Sequence, residues 1–406
     1  MSGVRSFVRP SVALLMLGAA LLGGVQAQAP RLGPSAGPVL ARLSAGTPWQ
    51  TQHTKRTEAP AAPARTQPLG PSDREALAAL FTKVRPATLR LEICPTNTTS
   101  CADPDGIGSG VLIGPGGLAL TAYHVVFQAD RLVAVTSDKR RFSVKVVGFD
   151  DQHDLAVLKV NVPQGTPYLP LAKSAPSVSD PLLAVGNGGG EFLRSQTGRL
   201  ISLNAAATRA DFPPGTLEMS ARLIPGDSGG PVLNAAGEVQ GIVSYIRADG
   251  DDESSIISYA VPVTQGDALV AALRGGTKRE APVIGVGLDG QFGLLSSLPA
   301  DKFAEFSRAL KLQLGATPGA FFTSVVQGSP AGKAGLRPLS YDQKTDKIVA
   351  GDLVTAVNGK RVVNFSEFQY AVRTYAPGDT VTLSVVRGGK TISLKLTLAA
   401  RSSVRN

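Results

Sequence analysis

Histidine and cysteine are scarce in this chain: 406 residues hold three His and two Cys. Zinc and iron–sulfur centres draw three or four ligands from those residue types, so most chemistry of that kind is excluded, and no metal or cofactor is expected. Charge is thin as well, at 18 % of residues. The formal +10 gathers at the ends, because residues 1–68 carry seven Arg/Lys against one acid, and Arg401 and Arg405 follow Ala400. Between residues 69 and 400, 32 basic side chains face 30 acidic ones, so the folded body offers no nucleic-acid footprint. Long apolar runs are missing too. The apolar run at 11–25 would reach only about 22 Å as a helix, short of a ~30 Å bilayer core. With Arg5 and Arg9 before it and Val25-Gln26-Ala27 after it, residues 1–27 read as a secretory signal peptide cut after Ala27. A retained membrane anchor is the alternative.

What the chain has in plenty is Gly (45) and Pro (29), the mark of many turns and a β-rich fold. Residues 28–72 are Pro/Ala-rich without apolar period and read as a disordered linker holding the only tryptophan, Trp49. Cys94 and Cys101 are expected to pair as a disulfide in an exported chain, and Asn97-Thr98-Thr99 between them fits a glycosylation sequon. Ser72 with Glu75 predicts a capping box before Leu77, Leu80, Phe81 and Val84, a helix that Pro86 ends. Two series of about six short strands follow, and they predict an all-β sandwich or barrel domain over 73–275. A helix over 262–274 is expected to close it at Gly275-Gly276. Residues 276–400 read as a small α+β unit. One helix there is marked by Phe303, Phe306, Leu310 and Leu314, and a second is capped by Asn364 with Glu367. Strands are expected over 321–326, 353–357, 381–386 and 392–398, and 401–406 is a basic tail.

Chemistry concentrates in Pro225-Gly226-Asp227-Ser228-Gly229-Gly230-Pro231. A serine hydroxyl needs a base to become a nucleophile, and flanking glycines free backbone N–H groups to face a developing oxyanion. All three histidines (His53, His124, His153) precede Ser228. That excludes an α/β-hydrolase, whose histidine follows its serine, and leaves the order His, Asp, Ser. His124 lies just past a strand, and Asp154 lies at the head of a buried one, where a carboxylate can accept the imidazole Nδ1–H. His53 falls in the disordered arm. His153, on an extended segment, would point away from the face of Asp154.

Three stretches then carry a resemblance: Gly108-Ser109-Gly110-Val111 with Thr121-Ala122-Tyr123-His124-Val125, the strand from Asp154 through Leu155-Ala156-Val157-Leu158-Lys159-Val160, and the loop around Ser228. Ala184-Val185-Gly186-Asn187 and Thr197-Gly198 fit the same pattern. The chain resembles the HtrA/Deg family of trypsin-like serine proteases with one C-terminal PDZ domain. The resemblance implies a mostly β fold, a chymotrypsin-like double β-barrel followed by a small α+β PDZ domain. It implies His124, Asp154 and Ser228 as triad and the Gly226 and Ser228 amides as oxyanion hole. The family's substrates would be unfolded or damaged proteins in the periplasm or cell envelope, cleaved without ATP by a homotrimer or higher oligomer. Phe81 is a candidate contact in that assembly. A chaperone that holds substrates with little proteolysis, or a scaffold whose triad never aligns, is the rival reading.

The distal unit resembles a PDZ module through Ile284-Gly285-Val286, Gly328-Ser329-Pro330 and Gly351-Asp352-Leu353-Val354. By resemblance Val283, Ile284, Gly285 and Val286 form the loop that takes the carboxylate of a C-terminal or hydrophobic peptide. Residues 337–350 are longer than in many relatives, a likeness to the chloroplast Deg proteins. Asp227 stands where the family usually has Asn, and Arg222 is a conjectural partner for it. Arg222, six residues before the nucleophile, and Ser220, in place of a common Asp, are read as specificity-pocket residues, with Arg222 tolerating acidic side chains.

Overall fold

The computed structural model describes residues 68–96, 101–205, 215–248, 256–342 and 347–404. The expected signal peptide, most of the linker with Trp49 and His53, the Asn97 sequon and Arg405 lie outside the described residues.

The chain enters through helix α1 (Pro71–Val84). Pro71 opens it after Gly70, with no side-chain cap. The expected capping box therefore does not form: the N-cap position falls on Gly70, which has no side chain to accept from the first turn, and Ser72 lies inside that turn behind Pro71. Leu77 and Val84 are buried, as α1 lies over the strands that follow.

Six strands make the first barrel: β1 (Thr88–Ile93), β2 (Gly106–Gly114), β3 (Leu118–Thr121), β4 (Leu132–Val135), β5 (Arg141–Asp150) and β6 (Leu155–Val160). They pair in the order β4-β1-β2-β3-β6, and β5 closes the ring by pairing with both β4 and β6. A one-turn helix, α2 (Tyr123–Val126), leaves β3 and seats itself against β2. Gly108 makes that seat: a Cβ there would meet Val125 at 2.4 Å. The second barrel closes as β10-β11-β12-β9-β8-β7. Its strands are β7 (Pro181–Gly186), β8 (Arg194–Ala205), β9 (Thr216–Met219), β10 (Pro231–Leu233), β11 (Val239–Ala248) and β12 (Ile256–Pro262). Period-two geometry divides the side chains of β7 between two cores. Leu182 and Ala184 fill the second barrel with Leu200, Met219 and Val243, whereas Leu183 and Val185 join the core of the first barrel. One buried apolar surface thus glues the two barrels together, with the cleft along their seam.

Helix α3 spans Ala268–Arg274, shorter than expected, because Pro262 still belongs to β12 and the Asp267 carboxylate caps the helix on Leu269 and Val270. The chain then returns to the first barrel, where β13 (Lys278–Arg279) runs parallel to the end of β5.

The distal unit is built on the sheet β20-β19-β21-β22: β19 (Leu353–Val357), β20 (Lys360–Arg361), β21 (Thr380–Arg387) and β22 (Lys390–Thr397). Two short pairs complete it, β14 (Pro282–Val283) with β23 (Ala399–Ala400) and β15 (Val286–Gly287) with β16 (Ser324–Val325). Only Ser324–Val325 of the strand expected over 321–326 is regular. Helix α4 (Phe303–Ala309) stops at Ala309, and Lys311 and Gln313 then take positive φ. Leu310 and Leu314 accordingly reach the core from a loop and not from a helical face. A four-residue helix, α5, spans Pro330–Lys333. Helix α6 (Phe365–Arg373) has the expected cap: the Asn364 side chain accepts from Glu367 N–H, and the Glu367 carboxylate accepts from Val363 N–H. Within the long segment at 337–350, β17 (Ser340–Asp342) pairs antiparallel with β18 (Lys347–Val349).

Asp352 anchors this unit. Its fully buried carboxylate takes two bonds of 2.7 Å from the Arg387 guanidinium and one of 2.9 Å from Arg337 N–H. Asp352→Ala is expected to cost about 3–5 kcal/mol, because it strands a cation and an amide together. Urea denaturation of the full chain, read by its first transition, checks this.

Candidate active site

His124 stands in α2 with its ring 38 % exposed at the cleft. Its Nδ1 lies 2.9 Å from Asp154 Oδ2 and 3.1 Å from Oδ1, and its backbone N–H donates to Oδ1 at 2.9 Å. Asp154 sits in the turn at 151–154, at φ +51°, a left-handed conformation that Asp tolerates better than most residues. This turn corrects the expectation of an extended segment. His153 is kept from the site by pairing with Asp150 (Nδ1 to Oδ1, 3.0 Å) and not by strand alternation.

Burial alone would raise the Asp154 carboxyl, but the charge of His124, its ring and amide bonds, and the Ser244 hydroxyl outweigh that and hold it below the ordinary carboxylate range. A carboxylate lowered in this way stabilises the fold above the usual Asp pKa and loses that contribution only as pH falls through the lowered value.

Ser244, on β11, closes the constellation. Its hydroxyl donates to Asp154 Oδ2, and its backbone carbonyl accepts from Ser228 Oγ at 3.4 Å. One residue of the second barrel therefore touches the nucleophile candidate and the carboxylate of the first. Nothing in the local pattern singles out Ser244, which sits in an ordinary strand.

The Ser228 loop is fixed on every side. Gly226 has φ +105°, and a Cβ on it would come within 2.4 Å of the Asn187 carbonyl, so the position requires glycine. The Pro225 carbonyl accepts from Gly189 N–H at 2.9 Å, and in a trans peptide this turns the Gly226 N–H the opposite way. Asp227, Gly229 and Gly230 spend their N–H groups on Ile224, Val243 and Asp227 carbonyls. Among the described residues, the N–H groups of Gly226 and Ser228 are spent on no protein acceptor.

Asp227 is 1 % exposed. Its carboxylate accepts from Gly188 N–H (2.7 Å), Ile224 N–H (3.0 Å) and the Arg194 guanidinium (3.3 Å). Arg194 at the start of β8 takes the part conjectured for Arg222, which lies exposed in solvent. The Ser220 hydroxyl is occupied by the backbone of Arg199. Cys94 and Cys101 are bonded through their Sγ atoms, away from these groups.

The loop from Val283 to Val286 edges a groove against α6, lined by Phe368, Val372 and Arg373. Ile284 is buried, and Gly285 has φ +82°. Phe127 and Gln128, just beyond α2, line the same groove, so it opens beside the turn that follows His124. Asp151 ties the two units together there, accepting from Arg401 Nη1 (2.8 Å) and Ala281 N–H (3.1 Å), with Arg373 Nη2 at 3.7 Å. Arg401 also lies 4.4 Å from the centre of the Phe127 ring. The expected basic tail is thus docked from its first residue, because a buried carboxylate and an aromatic face are there to receive it. Among the described residues no cluster of His, Cys, Asp and Glu could hold a metal ion.

Residues 108–242 match the trypsin-like peptidase domain, and residues 282–398 match the PDZ domain. The chain is 31 % identical over 303 residues to the periplasmic pH-dependent serine endoprotease DegQ of Escherichia coli, a span covering 74 % of this chain and 60 % of DegQ. It is 32 % identical over 302 residues to the putative serine protease HhoA of Synechocystis, covering 72 % and 71 %. A serine endoprotease structure from Yersinia pestis aligns with a TM-score of 0.45 at 22 % identity, over 80 % of this chain and 97 % of that one.

Proposed function

Because the chain belongs to the HtrA family of trypsin-like serine proteases, a trypsin-like peptidase domain followed by one PDZ domain, we propose that it is an exported serine endopeptidase that cleaves unfolded or damaged proteins without ATP. The observation that carries this reading is the Asp154–His124 pair joined through Ser244 to Ser228. In it, His124 Nε2 takes the Ser228 proton as Oγ attacks the peptide carbonyl, then returns it to the leaving amine. Asp154 holds the ring in the tautomer with hydrogen on Nδ1 and stabilises the imidazolium. The Gly226 and Ser228 N–H groups receive the oxyanion.

The groove at Val283–Val286 would take the C-terminus or a hydrophobic segment of a polypeptide as an added strand. The periplasmic relative DegQ supports a place in the cell envelope, with residues 1–27 as the cleaved leader. Assembly as a homotrimer or higher homo-oligomer belongs to the same proposal.

A fluorophosphonate probe tests the reading. It is expected to label Ser228 of the full chain, alone or with a hydrophobic C-terminal peptide, and to spare Ser228→Ala. Absence of label under both conditions would assign the chain to a scaffold. Suppression of aggregation without cleavage of casein would assign it to a chaperone.

A further inference from the structure

Ser109 lies on β2, fully buried, between the two barrels. Its backbone N–H donates to the Ser228 carbonyl at 2.8 Å, and its carbonyl accepts from the Thr121 hydroxyl at 2.8 Å, so its main chain reaches both the nucleophile and the strand leading to His124. Its side chain is more constrained still. The Asn187 N–H and Asn187 Nδ2 both donate to Ser109 Oγ, at 3.0 Å and 2.9 Å, and Ser109 Oγ lies 2.8 Å from the Gly226 carbonyl.

A hydroxyl has one proton and two lone pairs. Both lone pairs here meet donors that cannot accept, so the proton has a single destination, the Gly226 carbonyl. The direction is fixed one step earlier as well. Leu193 N–H donates to Asn187 Oδ1 at 3.1 Å, which leaves Asn187 Nδ2 facing Ser109. A one-way chain of bonds therefore runs from Leu193 through Asn187 and Ser109 to the carbonyl of Gly226. It holds the peptide between Gly226 and Asp227, while Gly189 N–H holds the peptide before it.

We infer that Ser109 and Asn187 form a positioning unit that aims the Gly226 N–H at the oxyanion. The unit acts through the backbone of Gly226 and touches no substrate. This inference rests on the protease reading.

Two variants test it. Ser109→Ala removes the proton that the Gly226 carbonyl receives. Asn187→Asp keeps size and the acceptor for Leu193 but presents a second acceptor to Ser109, drawing its proton away from Gly226. Loss of one oxyanion donor outright costs about 100- to 1,000-fold in kcat, and a misaimed donor is expected to cost about 10- to 100-fold. KM for a peptide substrate is expected to stay within about threefold, because ground-state binding does not use the oxyanion site. A peptide boronate, whose adduct on Ser228 places an oxygen there, should lose affinity by the same factor as kcat/KM.

Wild-type chain serves as the control: if it neither cleaves casein nor takes the fluorophosphonate, the protease reading itself has failed. If it does both, a kcat within twofold of wild type in a folded Ser109→Ala or Asn187→Asp chain overturns the positioning role. So does a fall in kcat that leaves boronate affinity unchanged.

Discussion

Casein cleavage is expected to fall by about six orders of magnitude when Ser228 is replaced by Ala, with the fold left in place. In the proposed mechanism this hydroxyl is the attacking atom and His124 is its base. What survives is the catalysis that the oxyanion donors and substrate binding give to water, roughly 10³–10⁴ over the uncatalysed rate. Stability should hardly change. The bond lost is the 3.4 Å contact to the Ser244 carbonyl, whereas the loop is held by Asp227 and by Gly226, which the substitution does not touch. Initial rates on casein, with a thermal midpoint for each chain, separate the two effects. A variant that still cleaves at more than about a thousandth of the wild-type rate would place the nucleophile elsewhere.

Asp154→Asn is expected to lower kcat by about 10⁴ at neutral pH without emptying the site. The carboxylate of Asp154 accepts at both oxygens, from the His124 ring, the His124 amide and the Ser244 hydroxyl. An asparagine offers one acceptor and one NH₂ group. With Oδ1 kept for the amide of His124, the NH₂ faces Nδ1 and forces the tautomer with hydrogen on Nε2. That nitrogen then cannot accept the Ser228 proton. KM should stay near wild type, and rates should recover in part as pH rises and hydroxide supplies the missing base. Equal loss in kcat at every pH would argue that Asp154 only props the loop.

The candidate trio could be picked out because its order along the chain carries chemistry: three histidines all before the serine leave one arrangement, and a loop of glycines advertises itself. The two barrels were legible as two runs of short strands between turn residues. Other features lay in contacts that no local pattern encodes. Ser244 is one small residue among β-formers, and its role depends on β11 crossing the seam. Ser109 and Asn187 sat inside matching motifs, but their bond to Gly226 joins residues 78 and 117 positions away from Ser109. Arg194 takes the place beside Asp227 because it comes from β8 across the loop, whereas Arg222 lies in an irregular segment past the end of β9 and is exposed to water. One expected helix ran too far because apolar spacing continued past the backbone's stop, as at Leu314, and another began too early because Pro262 still belongs to β12 and the cap comes only at Asp267. A proline at the start of α1 overrode a good capping pattern for an equally local reason.

Asp151 joins the two modules at the turn that carries Asp154. Its side chain is 2 % exposed, and its partners are Arg373 of α6, Arg401 beyond the last strand, and the amide of Ala281 in the connector. Three positions on, the same turn carries Asp154. Lifting the PDZ unit off the barrel would strip a buried carboxylate of its cations, a step worth several kcal/mol. The backbone turn that docks the distal unit is therefore the same one that presents a carboxylate to the His124 ring.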